Sequence, residues 1–284
     1  MEIITRRQRM FSISRKLRRE NKTVAFVPTM GALHDGHLTL VREARQAADV
    51  VIVSIFVNPA QFNDKGDLER YPRDLTADAA LLAEYGVDYV FAPEEHEMYH
   101  KGFSTFVDVE GISEGLEGTA RPGHFRGVAT IVTILFNTVR PDQAFFGQKD
   151  AQQVAVIKRL AIDLGFETEI VVVPTVREES GLAMSSRNAN LTTEEHEKAS
   201  VIFQGLRDAK LAFEEGESKA SKLVEIARKT IESEPLAKVD YIAAIDSESL
   251  QPIERVDDSG VLLTAAVYFG STRLIDNMPL NRMQ

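Results

Sequence analysis

The segment Pro28-Thr29-Met30-Gly31-Ala32-Leu33-His34-Asp35-Gly36-His37 lies between an apolar run and an amphipathic one. Residues 23–27 before it are typical of a buried parallel strand, and residues 38–44 after it are typical of a helix. Open α/β sheets bind ligands where a strand ends and a helix begins, and the unpaired N–H groups of a helix start suit a phosphate. We expect Gly31 and Gly36 to let the backbone turn tightly beside that ligand.

The two histidines of this segment have alternative interpretations. His34 and His37 are three residues apart, so they share one face of a helical first turn. Protonated, or donating one ring N–H, they could stabilise charge on a phosphate. The alternative is a structural pair that caps the helix or packs in the core. A zinc site is a weaker interpretation, because the chain has no cysteine and His96 and His100 lack a matching cluster of ligands.

Length and composition indicate a globular protein with one large α/β domain and a smaller one. The chain has 284 residues, 44% of them hydrophobic, and a formal net charge of −10. The acidic balance argues against nucleic acid as the main partner. Zero cysteines exclude disulfides and cysteine catalysis and are consistent with a reducing cytosol. No apolar run approaches the ~20 residues that span a bilayer.

The first residues are unusually basic. Residues 1–22 carry eight Lys or Arg and two Glu, and Arg-rich, acid-poor starts also occur in organelle transit peptides. However, Met10, Phe11, Ser14 and Leu17 fall on one helical face. An amphipathic opening helix is therefore favoured over a cleavable leader.

Two further apolar runs end in polar residues that suit a substrate. Residues 50–56 lead into a turn that contains Gln61, whose amide can donate and accept hydrogen bonds to hydroxyl and carboxylate groups. Residues 143–146 lead into Gly147-Gln148-Lys149-Asp150, at a predicted helix start. Lys149 is therefore the best candidate cation for a triphosphate. The spacing is not that of a Walker A loop.

The middle of the chain gives weaker signals. A strand is predicted at 105–109, with the edge of the sheet as one position for it. The glycine-rich stretch 111–127 contains His124 and Arg126, which could contact anions. Helix capping and packing explain those two residues equally well.

A second phosphate-binding loop is predicted late in the larger domain. Gly181-Leu182-Ala183-Met184-Ser185-Ser186-Arg187-Asn188 offers rotatable hydroxyl donors beside the fixed fork of an arginine. After about residue 190 the pattern changes to helices near 193–213 and 217–233, followed by short strands. This change indicates a small α+β domain.

Five segments, in order, resemble the pantoate–β-alanine ligase (pantothenate synthetase) family of the nucleotidylyltransferase superfamily. They are residues 28–37, 56–62, 123–128, 147–153 and 181–188. With the apolar pattern, the resemblance implies an α/β fold with a Rossmann-like, doubly wound parallel sheet and a smaller C-terminal α+β domain. Residues 1–176 would bind nucleotide and pantoate, and residues 177–284 would close over the ATP site.

The resemblance also implies a reaction, in which ATP drives condensation of (R)-pantoate with β-alanine through a pantoyl adenylate. The implied catalytic residues are His37, His34, Lys149, Ser186 and Arg187. The implied ATP-binding residues are Met30, Gly31, Ala32, Leu33, His34, Asp35, Gly36, His37, Gly147, Gln148, Lys149, Asp150, Val176, Met184, Ser185, Ser186 and Arg187. Gln61 and Gln153 would hold pantoate, and Gln61 would border β-alanine. Magnesium would accompany ATP, in a cytoplasmic homodimer.

Departures from the family pattern are mild. Gln148 replaces a common Glu, Ala151 a common Tyr and Ser180 a common Asp. Two other functions stay open on sequence grounds, namely a nucleotidylyltransferase with a phosphate-bearing acceptor and a non-catalytic nucleotide-binding module. A tRNA synthetase is disfavoured by the acidic balance and by the lack of an evident tRNA-binding domain.

Overall fold

The computed structural model describes residues 1–63, 65–256 and 260–281. The chain forms two compact units. Unit 1 contains Met1–Gly147 and Gln152–Val173, and unit 2 contains Gln148–Ala151 and Pro174–Gln284. Each unit has a sheet and an apolar core of its own.

Unit 1 is built on a six-stranded sheet, within the described residues, in the order β1-β4-β3-β2-β5-β6. The strands are β1 (Glu2–Ile4), β2 (Val24–Thr29), β3 (Val50–Ile55), β4 (Tyr89–Phe91), β5 (Gln143–Gly147) and β6 (Glu169–Val173). All of these pairings are parallel. The strand order reverses at β2, so the loop after β2 lies at the switch point where such sheets bind ligands.

Helices cover both faces of this sheet. The helices of unit 1 are α1 (Arg7–Arg19), α2 (Asp35–Ala47), α3 (Lys65–Arg70), α4 (Leu75–Glu84), α5 (Glu95–Met98), α6 (Glu117–Ala120), α7 (His124–Val139) and α8 (Ala151–Asp163). Successive strand residues point to opposite faces, so Phe26 joins a core with α1 and α7. Its neighbour Val27 joins a second core with α2 and α4. The predicted doubly wound α/β class is confirmed.

One local expectation needs correction, and one strand was not expected. The opening helix is confirmed as α1, but the preceding strand β1, which pairs with β4, was not anticipated. The strand expected at 105–109 is wrong, because this segment is irregular. The Val107 N–H donates to Thr130 Oγ1 at 3.0 Å, and Val109 packs with Phe125 of α7. Val107 and Val109 thus pack against a helix and not in the sheet, while Phe106 is exposed.

Unit 2 is an α+β structure, as predicted. Its antiparallel strands are β7 (Ala237–Asp246), β8 (Val261–Phe269) and β9 (Thr272–Leu280), in that order across the sheet. Its helices are α9 (Thr193–Lys198), α10 (Val201–Glu214) and α11 (Ala220–Ile231). Leu206, Leu223 and Leu263 from α10, α11 and β8 meet in its core. In the described part of the chain, no helix has the length and apolar character needed to cross a membrane.

Candidate active site

The loop after β2 turns through two residues in the left-handed region. Gly31 has a φ of 82° and Ala32 a φ of 52°. A Cβ atom at position 31 would lie 2.9 Å from Asp78 Oδ2, so both the backbone conformation and the close carboxylate require glycine there. Gly36, expected to form part of the turn, instead lies within the first turn of α2.

A buried carboxylate from α4 fixes this loop. Asp78 is 4% exposed and accepts hydrogen bonds from the backbone N–H groups of Ala32 at 3.0 Å and Leu33 at 2.9 Å. A carboxylate removed from water requires such donors, and two of them hold the loop in one conformation. Local sequence does not identify Asp78 as a site residue, because its partner Ala32 lies 46 residues away and α4 contains no recognisable motif.

The two histidines cap α2. His34 is the N-cap residue, and its Nδ1 accepts the Gly36 N–H at 3.2 Å. The Nδ1 atom of His37 accepts the His34 N–H at 3.4 Å, and the ring centroids are 4.2 Å apart. A neutral imidazole that accepts at Nδ1 carries its proton at Nε2. Capping through Nδ1 is therefore compatible with phosphate chemistry through Nε2–H.

Gln61 belongs to a buried network at the short 3-10 turn Pro59–Gln61, just after β3. Asn58 Nδ2 donates to Gln61 Oε1 at 2.9 Å, and Gln61 Nε2 donates to Met30 Sδ at 3.2 Å. The Tyr99 hydroxyl donates to Asn58 Oδ1 at 2.7 Å. Burial raises the pKa of Tyr99, which keeps this hydroxyl protonated. The structure thus joins Met30 to Gln61 and adds Asn58 and Tyr99, which the sequence did not identify as site residues.

The start of α7 holds the backbone of Gln61. His124 Nδ1–H donates to the Gln61 carbonyl oxygen at 2.8 Å, and Arg121 Nη2 donates to the same oxygen at 3.3 Å. A Cβ atom on Gly127 would overlap the carbonyl oxygen of Ala60. His124, which is buried, therefore has the packing role that was one of its two alternatives.

A cavity of about 160 Å³ opens beside this turn. Gln61, Asn63, Phe106 and Arg126 are among its lining residues. The Arg126 guanidinium lies 4.0 Å above the Phe106 ring, an arrangement that favours a fixed position for the cation. Arg126 therefore brings positive charge to the wall of a cavity that Gln61 also lines.

The adjacent glutamines on α8 have different surroundings. Gln152 is buried, and its amide accepts from the Glu117 N–H at 3.0 Å and donates to the carbonyl oxygens of Ile112 and Gly115 at 2.9 Å each. These bonds commit Gln152 to the fold of unit 1. Gln153, predicted to hold pantoate, is half-buried on the same first turn.

In unit 2, the predicted lysine lies in the short 3-10 turn Gln148–Asp150. Asn277 Nδ2 donates to the carbonyl oxygens of Gln148 and Lys149, both at 3.0 Å. Gln148 Nε2 in turn donates to Asn277 Oδ1 at 3.0 Å. The Lys149 ammonium lies 3.6 Å from Asp150 Oδ1. A strand 128 residues away in the chain thus fixes the backbone of Lys149.

The other predicted ATP residues of unit 2 lie on a hairpin and the turn that follows it. The Met184 N–H donates to the Val176 carbonyl at 3.0 Å, so these two residues are adjacent. Ser185 caps the 3-10 turn Ser186–Asn190 by accepting the Arg187 N–H at 3.2 Å. Among the described residues, no group of three or more His, Cys, Asp or Glu is placed to hold a metal ion.

A match to a family of known proteins covers almost the whole chain. The family model described as Pantoate-beta-alanine ligase matches residues 2–279. The chain belongs to the pantoate-beta-alanine ligase family. This finding confirms the family and the ligase class that the five sequence segments predicted.

Members of the pantoate-beta-alanine ligase family resemble the chain over its full length. The pantothenate synthetase of Heliobacterium modesticaldum is 52% identical over 278 residues, which are 98% of this chain and 99% of that protein. The crystal structure of pantothenate synthetase from Thermus thermophilus matches with a TM-score of 0.93 and 43% identity, over 99% of this chain and 100% of that one.

A third relative was solved with ligands. The crystal structure of pantoate-beta-alanine ligase from Francisella tularensis, complexed with beta-gamma ATP and beta-alanine, has a TM-score of 0.80 and 38% identity. The match covers 98% of this chain and 97% of that one. The fold predicted from the sequence is therefore that of the pantoate-beta-alanine ligase family.

Proposed function

We propose that the protein condenses (R)-pantoate with β-alanine, consuming ATP and yielding pantothenate, AMP and pyrophosphate through a pantoyl adenylate. The proposal rests above all on the histidine pair after β2, where His34 and His37 cap α2 through Nδ1 and carry Nε2–H donors. Family membership supports the substrate classes, as does the Francisella relative complexed with ATP and β-alanine.

The chemistry divides into two displacements. A carboxylate is a poor acyl donor, so an oxygen of the pantoate carboxylate first attacks the α-phosphorus of ATP, and pyrophosphate leaves. The β-alanine amine then attacks the acyl carbon, the bond to the phosphate oxygen breaks, and AMP leaves. Both steps depend on positioning and on stabilisation of phosphate charge, without a covalent enzyme nucleophile.

In unit 1, the loop from Met30 to His37 contributes to the proposed ATP site. His37 is the principal catalytic histidine, and His34 beside it also meets the phosphates. Gly147, at the end of β5, lines the nucleotide. Gln61 and Gln153 hold pantoate, and Gln61 also borders β-alanine. The fixed position of the Gln61 amide, bonded to Asn58 and Met30, suits an orienting role.

In unit 2, the turn Gln148–Asp150 contributes Lys149 to the phosphates. Val176 lies against the adenine, and residues 184–187 close over the phosphates with Ser186 and Arg187 as donors. We assign nucleotide and pantoate binding to residues 1–176 and closure over ATP to residues 177–284. Magnesium would accompany ATP and would help to neutralise the charge of its phosphates. The proposed working form is a cytoplasmic homodimer.

Pyrophosphate release tests the proposal directly. The purified chain is incubated with ATP, magnesium and D-pantoate, with and without β-alanine, and pyrophosphate, AMP and pantothenate are measured. Sustained release that requires both substrates, with AMP and pantothenate formed in equal amounts, is the expected result. If release requires a different, phosphate-bearing acceptor, the proposed substrate is wrong and that acceptor takes its place. ATP binding without release for any acceptor would favour a nucleotide-binding module.

A further inference from the structure

Two consecutive residues of β9 bind both of the predicted ATP-binding segments of unit 2. Asp276 and Asn277 are each 3% exposed. Buried carboxylates and amides require hydrogen-bond partners. The side chains of Asp276 and Asn277 find these partners in segments far away in the chain, at Arg177 and at Gln148–Lys149.

Both the nitrogen and the oxygen of the Asn277 side-chain amide form hydrogen bonds with the turn that carries Lys149. Its amide nitrogen donates to two carbonyl oxygens of this turn, those of Gln148 and Lys149, and the amide oxygen accepts from the Gln148 side chain. Three bonds of 3.0 Å from one planar group leave the turn little freedom. The Lys149 side chain, 16% exposed, therefore extends from a fixed backbone.

Asp276 holds the hairpin that precedes Ser185. Its two oxygens accept from Arg177 Nη1 at 2.6 Å and Nη2 at 3.0 Å, a bidentate pair with defined geometry. The Arg177 guanidinium also lies 4.2 Å above the Phe203 ring. Arg177 forms an antiparallel bridge with Ala183, so Asp276 fixes the base of the segment that leads to Met184 and Ser185.

We propose that Asp276 and Asn277 are positioning residues for ATP. Asn277 acts through Lys149 and Asp276 acts through the 177–183 hairpin, so one short stretch of β9 positions both groups of proposed phosphate donors in unit 2. The inference rests on the proposed function, because it takes Lys149, Ser186 and Arg187 as phosphate ligands.

A double-mutant cycle on the full chain tests the role of Asn277. Asn277→Asp keeps the shape of the side chain but presents a carboxylate to two carbonyl oxygens. We expect kcat/KM for ATP to fall about ten- to a hundredfold, while KM for pantoate stays unchanged. In a Lys149→Ala background the same substitution should cause no further loss, because its effect runs through Lys149. Asp276→Asn is tested in the same way against Arg187→Ala.

The matched control is Asp240→Asn on β7 of the same sheet. Asp240 Oδ2 accepts from Arg273 at 3.0 and 2.9 Å in an exposed pair, and its loss should leave every KM unchanged. If thermal denaturation shows that Asn277→Asp is unfolded, Asn277→Ala replaces it. That change removes the three amide bonds to the turn without placing a charge beside its carbonyl oxygens, and it should raise KM for ATP alone.

Three outcomes are distinguishable. Loss confined to ATP, and absent in the Lys149→Ala background, supports the inference. Equal losses for ATP and pantoate, or full additivity with Lys149→Ala, would overturn it. Wild-type protein that forms no pantothenate from ATP, pantoate and β-alanine would overturn the proposed function itself, which is a separate result from an inert Asn277 variant.

Discussion

The loop after β2 and the turn Gln148–Asp150 carry similar groups but are fixed by different means. Each follows the carboxyl end of a parallel strand and carries predicted phosphate ligands. In the loop after β2, His34 and His37 cap their own helix within three residues, while Asp78 of α4 holds the preceding turn at Ala32 and Leu33. The turn with Lys149 is fixed by Asn277, 128 residues later in the chain.

The histidine pair is held by bonds between neighbouring residues, whereas the turn with Lys149 is held by a residue far away in the chain. The histidine pair forms its cap as soon as α2 forms, because donors and acceptors are neighbours in the chain. The turn with Lys149 reaches its final geometry only when β9 has folded, since the Asn277 amide holds two of its carbonyl oxygens. A proposed phosphate ligand can therefore be positioned by adjacent residues, like His37, or by a strand far away in the chain, like Lys149.

Removing the proposed phosphate ligand from each segment has the largest expected effect on kcat. Lys149→Ala and His37→Ala should each lower kcat by about 10²–10³-fold, roughly 3–4 kcal/mol, the usual cost of one oriented electrostatic donor. Thermal unfolding should separate the two variants, because His37→Ala also removes the acceptor of the His34 N–H and lowers Tm. A fully active Lys149→Ala variant would contradict its assignment.

Asp78→Ala tests whether the loop after β2 is wholly self-supporting. The substitution leaves the N–H groups of Ala32 and Leu33 without their buried acceptor. We expect the free energy of unfolding to fall by about 1–3 kcal/mol, and kcat to fall with it because the loop shifts. Asp74→Ala is the control on the same helix, since Asp74 only caps α4 and should affect stability alone. Unchanged kcat in both variants would show that the histidine caps suffice.

Gln153→Ala probes the helix that follows the turn with Lys149. We expect KM for pantoate to rise about tenfold, as for one lost substrate hydrogen bond, with a smaller change in KM for ATP. Gln152→Ala is the matched control, because its bonds to Glu117, Ile112 and Gly115 are structural. It should lower the free energy of unfolding and leave relative substrate affinities intact. Equal weakening of both substrates by Gln153→Ala would count against a pantoate role.

Tyr99→Phe has the smallest expected effect and tests remote support within unit 1. Loss of the hydroxyl removes the 2.7 Å bond to Asn58, which orients the Gln61 amide. KM for pantoate should rise by a few fold, consistent with about 0.5–1.5 kcal/mol for one hydrogen bond, and KM for ATP should not change. Tyr89→Phe removes a hydroxyl near the same core and serves as control. Identical kinetics in the two variants would contradict a role for Tyr99 in orienting the Gln61 amide.

The sequence predicted what depends on neighbouring residues. The apolar runs at 23–27, 50–56 and 143–146 became β2, β3 and β5, because strands buried on both faces are continuously apolar. The run at 105–109 is also partly buried, but against α7, so burial alone did not identify a strand. An apolar pattern predicts that a residue is buried, but it does not predict which element packs against it.

The anchors of the candidate site were beyond such reasoning. Asp78 and Asn277 were missed because their partners lie 46 and 128 residues away. Local spacing has no information on such pairs until the topology is known. The proposed ligands, including His37 and Lys149, occur at strand ends, where short motifs and helix starts are recognisable in sequence.

The contact at Gly127 has a consequence for directed evolution of this protein. Since any Cβ there would displace the carbonyl of Ala60, a library that randomises this position would consist mostly of damaged clones. Diversity is better introduced at Asn63, Phe106 and Arg126, which line the neighbouring cavity. Substitutions at these three positions would change the shape of the cavity without displacing the turn that carries Gln61.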